Sequence, residues 1–83
     1  MVVLEQDERD LLQTLGQRLK YARKARKETQ ATFGGRLGIT RQTYSKMEHG
    51  DPNIDVGYWI RASALLDGLA GWKKVLIDEN VAC

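Results

Sequence analysis

A chain of 83 residues with 42% hydrophobic residues, 7% aromatics and a single proline has the size of one domain, and its composition excludes a disordered chain and argues against a β-sandwich. A chain this short buries only about 60% of the surface its unfolded form exposes, so any core is small. The net charge of +2 conceals a strong asymmetry. Residues 14–50 carry nine basic side chains against Glu28 and Glu48, net +7. Residues 1–13 carry Arg9 against Glu5, Asp7, Glu8 and Asp10, net −3, and residues 51–83 carry three basic against five acidic side chains, net −2. A basic centre between acidic ends points to a polyanionic partner.

Reactive groups are sparse. His49 and Cys83 each occur once and stand far apart, and the sequence has neither metal-ligand spacing nor a phosphate-cradling Gly-x-x-x-x-Gly-Lys loop. These features argue against an enzyme, a metal centre or a bound cofactor. One cysteine cannot form an internal disulfide and suits a reducing compartment. The acidic start lacks the apolar run of a signal peptide, and no stretch of 18 apolar residues occurs, so a cytoplasmic location without membrane contact is expected.

In chain order, residues 1–9 begin apolar, turn charged, and are expected to form a flexible end, with an early start to the first helix as the alternative. Leu12, Leu15, Leu19 and Ala22 then recur at helical spacing and predict a first helix over about 10–26, with Arg18, Lys20, Lys24 and Lys27 on its other side. Thr29 is a suitable N-cap for a second helix, Gln30–Leu37, whose Phe33 and Leu37 point inward. Gly34 and Gly35 are poor helix formers, and close approach of a neighbouring helix would explain the pair. Gly38 can take the left-handed conformation that ends a helix. Ile39 plugs the turn, and Thr40 caps a third helix that runs to about Glu48 and stops at His49–Gly50.

Asp51–Pro52 marks a turn. Asn53 or Asp55 can cap a fourth helix over about Ile54–Leu66, with Ile54, Tyr58, Ala62 and Leu65 on one stripe. Asp67–Gly68 breaks it. Leu69, Trp72, Leu76 and Ile77 predict a fifth helix to about Asp78, followed by a polar end over 79–83. The expectation is therefore an all-α fold: one domain over residues 1–83, with a compact bundle of about five short helices and a core over about 12–78.

Two helices joined by a sharp glycine turn, with polar residues opening the second, form a helix-turn-helix. The chain resembles the phage-repressor and Cro-like (XRE) helix-turn-helix family. The likeness lies in Leu15-Gly16-Gln17-Arg18-Leu19, Ala22-Arg23-Lys24, Thr29-Gln30, Phe33-Gly34, Leu37-Gly38-Ile39-Thr40 and Tyr44-Ser45-Lys46-Met47-Glu48-His49-Gly50. The segment after Gly50 further resembles the HipB-type antitoxin branch.

The resemblance implies a lambda-repressor-like domain that binds double-stranded DNA through the third helix. Gln30 matches a phosphate-gripping position. Thr40, Arg41, Gln42 and Lys46 match base- or phosphate-reading positions, Thr43 could meet a thymine methyl or a phosphate, and His49 belongs to the same contact set. Tyr44 matches a position that is often apolar, and core packing is favoured there over base contact. Arg23 and Glu48 match a pair that forms a buried salt bridge in many relatives; the alternative is two separate surface charges. Relatives dimerise on pseudo-palindromic operators, and Leu69, Trp72, Leu76 and Ile77 are assigned to that homodimer interface, with closure of the monomer core as the alternative. The function implied is transcriptional repression. The antitoxin likeness adds an alternative, neutralisation of a kinase-like toxin protein together with autoregulation. One departure stands out: the loop after the third helix carries Asp51 and Asp55 where relatives often carry cations.

Overall fold

The computed structural model describes residues 2–76. They form five helices: α1 Gln6–Ala25, α2 Gln30–Leu37, α3 Arg41–Glu48, α4 Val56–Leu65 and α5 Leu69–Trp72. No strand occurs among the described residues. No helix there is long and apolar enough to cross a membrane.

α1 begins four residues before the expected start. The apolar period opens only at Leu12, but the helix is nucleated earlier by polar chemistry: the Glu5 backbone N–H donates to Glu8 Oε1 at 2.7 Å. Asp7 and Glu8 also place negative charge in the first turn, where the helix dipole favours it. Residues 6–9 are therefore helical. α4 starts two residues later than expected, with Asp55 at its N-cap position.

The core is formed where α1, α2, α3 and α4 meet. Its buried apolar members are Leu19, Phe33, Leu37, Tyr44, Met47 and Ala62. The rings of Phe33 and Tyr44 lie tilted with centroids 5.4 Å apart, a geometry aromatic pairs favour. Ile39, Ile54, Tyr58, Trp59, Leu65 and Leu66 pack around this centre.

α5 is shorter than its apolar period suggests. It spans four residues and buries none of them, then gives way to turns over 73–76. Leu76 has φ 66° and is 98% exposed, so the stripe expected of Leu69, Trp72 and Leu76 does not close onto the core. Burial of one face stabilises most short helices, and here that face is lacking. Ile77, Asp78, Glu79 and Cys83, along with the rest of the expected fifth helix, lie outside the described residues.

Candidate nucleic-acid interface

The α2–turn–α3 unit is built from local signals that agree with one another. Thr29 Oγ1 accepts from the Thr32 backbone N–H at 3.1 Å and caps α2. Gly38 closes α2 at φ 79°, and the next amide, Ile39, donates to the Gly34 carbonyl at 3.0 Å. Thr40 Oγ1 then accepts from the Thr43 N–H at 3.2 Å and caps α3. The chain thus leaves one helix and enters the next with Thr40 alone between the turn and α3.

The angle between α2 and α3 depends on Gly34. A Cβ there would stand 3.0 Å from the Tyr44 Cβ. Gly35 has nothing within 4 Å of the corresponding position, so close approach explains only the first glycine of the pair. A second close approach lies outside the expected set. At Gly16 on α1 a Cβ would collide with the Glu48 carbonyl and lie 2.9 Å from the Met47 carbonyl oxygen. The C-terminal turn of α3 therefore rests directly on the α1 backbone. Its one signal in the sequence is a glycine in the middle of a strongly patterned helix, two turns before Arg23.

α3 has two sharply different sides. Tyr44, Met47 and Glu48 are buried, whereas Arg41, Gln42 and Lys46 are exposed and Thr43 and Ser45 are half-buried. Thr43 remains close to the Thr40 cap, with their hydroxyls 3.1 Å apart. His49 ends the helix, its Nδ1–H donating to the Ser45 carbonyl at 2.7 Å. That carbonyl can only accept, so the proton lies on Nδ1.

A polar chain fastens this helix from within. Arg23 Nε donates to Glu48 Oε2 at 2.7 Å and Arg23 Nη2 to Glu48 Oε1 at 3.2 Å. Arg23 is 7% exposed and Glu48 4%. Arg23 Nη1 also donates to the Glu28 carbonyl at 2.7 Å, so one guanidinium holds both the α1–α2 connection and the end of α3. The Glu28 carboxylate accepts in turn from Arg36 at 2.7 Å.

Gln30 joins the same chain: its Nε2 donates to Glu48 Oε1 at 3.0 Å, and its Oε1 accepts from Arg41 Nη1 at 3.3 Å. The family resemblance implies a phosphate-gripping role for it. The amide links buried Glu48 to exposed Arg41 and keeps one N–H for another acceptor.

The titration behaviour of this chain follows from its geometry. Burial pushes the Glu48 carboxyl up, but hydrogen bonds from Arg23 and its other neighbours outweigh burial and hold it below the usual carboxylate range. The Arg23 guanidinium is raised, chiefly by its bond to Glu48. Burial, and after it the Glu48 carboxylate, drives the Tyr44 hydroxyl far above its ordinary value. Tyr44 Oη makes no well-formed hydrogen bond among the described residues. Tyr44 therefore works as a packed ring.

Beside the unit lies a polar groove of about 590 Å³, whose lining includes Gln17 and Lys20 of α1 with Gln30, Glu48 and His49. After α3 the chain turns at Gly50, with φ 78° and a Cβ position only 2.9 Å from the Gln13 Cα. The following loop is acidic and folds back on itself, the Asn53 N–H donating to Asp51 Oδ1 at 2.8 Å.

A short helix capped at its N-terminus, crossing a preceding helix at glycine and turning an unburied Arg-Gln-x-x-x-Lys side outward, is the arrangement of a helix-turn-helix. A helix-turn-helix family profile matches residues 19–70, well over half of the chain. The chain belongs to the XRE-type helix-turn-helix family. No curated protein and no solved structure matches it. This XRE-type protein is thus a DNA-binding transcription regulator, and its family is one of DNA binders and not of enzymes. No cluster of three or more metal-ligating side chains occurs among its described residues.

The residues assigned to a dimer interface are scattered in character. Trp72 is half-buried and donates from Nε1 to Ser63 Oγ at 2.8 Å, which ties it to its own α4. Leu69 is 43% exposed and Leu76 98%.

Proposed function

We propose that this XRE-type regulator is a repressor that binds a pseudo-palindromic operator as a homodimer, with α3 of each copy in the major groove. The observation that carries this reading is the two-sidedness of α3: its inner side is locked by Tyr44, Met47 and Glu48, and its outer side offers Arg41, Gln42 and Lys46 to solvent. Arg41 and Lys46 supply donors suited to guanine O6 and N7, and Gln42 the paired donor and acceptor suited to adenine. Thr43 stands beside them for a thymine methyl or a phosphate. Gln30 with its remaining N–H and Thr40 lie at helix N-termini, where phosphates are gripped, and exposed His49 follows the end of α3 as a further phosphate contact.

The acidic loop at Asp51–Asp55 supplies no cation to the backbone. Register therefore depends on the two helix N-termini and on the basic residues of α1 and α3. Two half-sites about one helical turn apart would double the few contacts a single domain makes. A toxin partner forms no part of this reading.

Selection of bound duplexes from a random pool tests it. The expected result is an enriched half-site repeated with inverted symmetry at a fixed spacing. Enrichment of a single unpaired site would overturn the dimeric reading, and absence of any enrichment would overturn sequence-specific binding.

A further inference from the structure

Helix α1 lies between two grooves. Gln13, Gln17 and Lys20 line the polar groove beside α3. Leu11, Leu15 and Ala22 line an apolar groove of about 640 Å³ together with Arg18, which the sequence pattern places on the opposite side with Lys20; residues of α4 and α5 that include Trp59 and Trp72 close it on its other side. At about 100° per residue these two sets fall on opposite sides of the helix, so a molecule seated in the apolar groove leaves the polar one open. Leu11 is 60% exposed, an uncovered apolar side chain on the wall of that groove.

The pattern along this side of α1, extended from the groove wall by one turn to Glu8, identifies the occupant. Glu8, Leu11, Leu15 and Arg18 follow spacings of three, four and three, the period of a helix-pairing seam. Read backwards, the order Glu-Leu-Leu-Arg is its own charge complement. If a second α1 lies antiparallel, Glu8 falls opposite the second copy's Arg18 and Leu11 opposite its Leu15, twice over about a two-fold axis. Glu8 and Arg18 are both exposed, and neither forms an ion pair among the described residues. Glu8 spends one carboxylate oxygen on the Glu5 amide and keeps the other.

We propose that α1 is the self-complementary surface through which two copies pair antiparallel, each α1 lying along the other's apolar groove. This rests on the dimeric reading above and supplies its surface: the seam Glu8–Leu11–Leu15–Arg18, flanked by Trp72, takes the place of a stripe on α5. A partner of different sequence would need no such palindrome of charge, which is why a second copy is the occupant.

Sedimentation of the full chain at micromolar concentration, with and without the selected duplex, tests this. The wild type is expected at twice the 9.4 kDa of one chain. Leu11→Glu is expected to sediment as one chain with unchanged helical circular dichroism, because Leu11 is exposed in the monomer.

Glu8→Arg and Arg18→Glu should each weaken self-association several-fold. Mixed in equal amounts, the two variants should form a heterodimer, because both cross-pairs regain opposite charges. The double variant Glu8→Arg/Arg18→Glu should regain dimerisation although it lacks the Glu8 cap, which separates pairing from helix stability. A dimeric wild type whose state is unmoved by all these changes would overturn the α1 seam and leave the dimeric reading standing. A wild type that remains a single chain both free and on the duplex would overturn the two together.

Discussion

The helix-turn-helix and the α4–α5 end of this small protein are held in opposite ways. Around α3, apolar packing and a buried polar chain act on the same few residues: Phe33, Tyr44 and Met47 fill the centre while Arg23, Glu48 and Gln30 tie three helices together. At the other end α5 buries no residue, and among the described residues its one side-chain hydrogen bond is Trp72 to Ser63. The contrast shows where an 83-residue chain concentrates its limited core. The helix proposed to meet base edges is locked from beneath, and the α5 end is left loosely packed.

The largest expected effect comes from cutting the polar chain. Glu48→Ala leaves Arg23 as an uncompensated buried charge and should destabilise the fold by about 3–5 kcal/mol, measured by chemical denaturation. The same pair gives stability an acid limb. Glu48 is held below its ordinary range when folded, so its contribution is fully present above about pH 4.3, the ordinary glutamate value. It is lost as pH falls through the lowered folded value. Melting temperature should drop over that window, and Glu48→Gln should flatten this part of the drop. An unaltered acid limb in Glu48→Gln would mean that the buried pair does not govern it.

Gly16→Ala comes next, at about 1–3 kcal/mol, because α3 must move off α1 to make room. If the melt is unchanged, the two backbones are not in the contact described. On the outer side of α3, Gln42→Ala should cost about 1–3 kcal/mol of binding to the selected site and little on random duplex, with the fold intact. Equal losses on both duplexes would argue for a phosphate contact there. Gly35→Ala should stabilise by about 0.5–1 kcal/mol, since nothing opposes a Cβ and the helix gains propensity. Gly34→Ala, one residue away, should do the reverse. Leu69→Ala in α5 should change stability by no more than about 0.5 kcal/mol, and a larger loss would show that the α5 end is better packed than its exposure indicates.

Much of the central unit is legible in the amino-acid sequence, because its signals are local. Thr29 and Thr40 as caps, Gly38 as a left-handed stop, and Phe33 and Leu37 one helical turn apart each act within a few residues. They place α2 at Gln30–Leu37 and α3 at Arg41–Glu48. The ends of the chain are less legible. The start of α1 depends on Glu8 reaching back to the Glu5 amide, which an apolar period cannot reveal. α5 carries an apolar period that would mark a helix had it a surface to bury against. The exposed side of α3 can be read from its polar residues, whereas the inward turn of the Gln30 amide depends on a carboxylate 18 residues away.

By itself the sequence determined an all-helical domain, the two helices and the turn at its centre, the side of α3 that faces outward, and the basic character of the segment that carries it. Those properties follow from propensity, capping and periodicity, which act over one or two helical turns. Packing of the helices settled that Gly16 is the contact point for the end of α3, that Gly35 has no such role, and that Arg23, Glu48, Gln30 and Arg41 form one continuous chain. It also decided that α5 ends after four residues. Close approach, burial and hydrogen bonding between distant segments exist only once the helices have packed, and their energies depend on distances that no local pattern encodes.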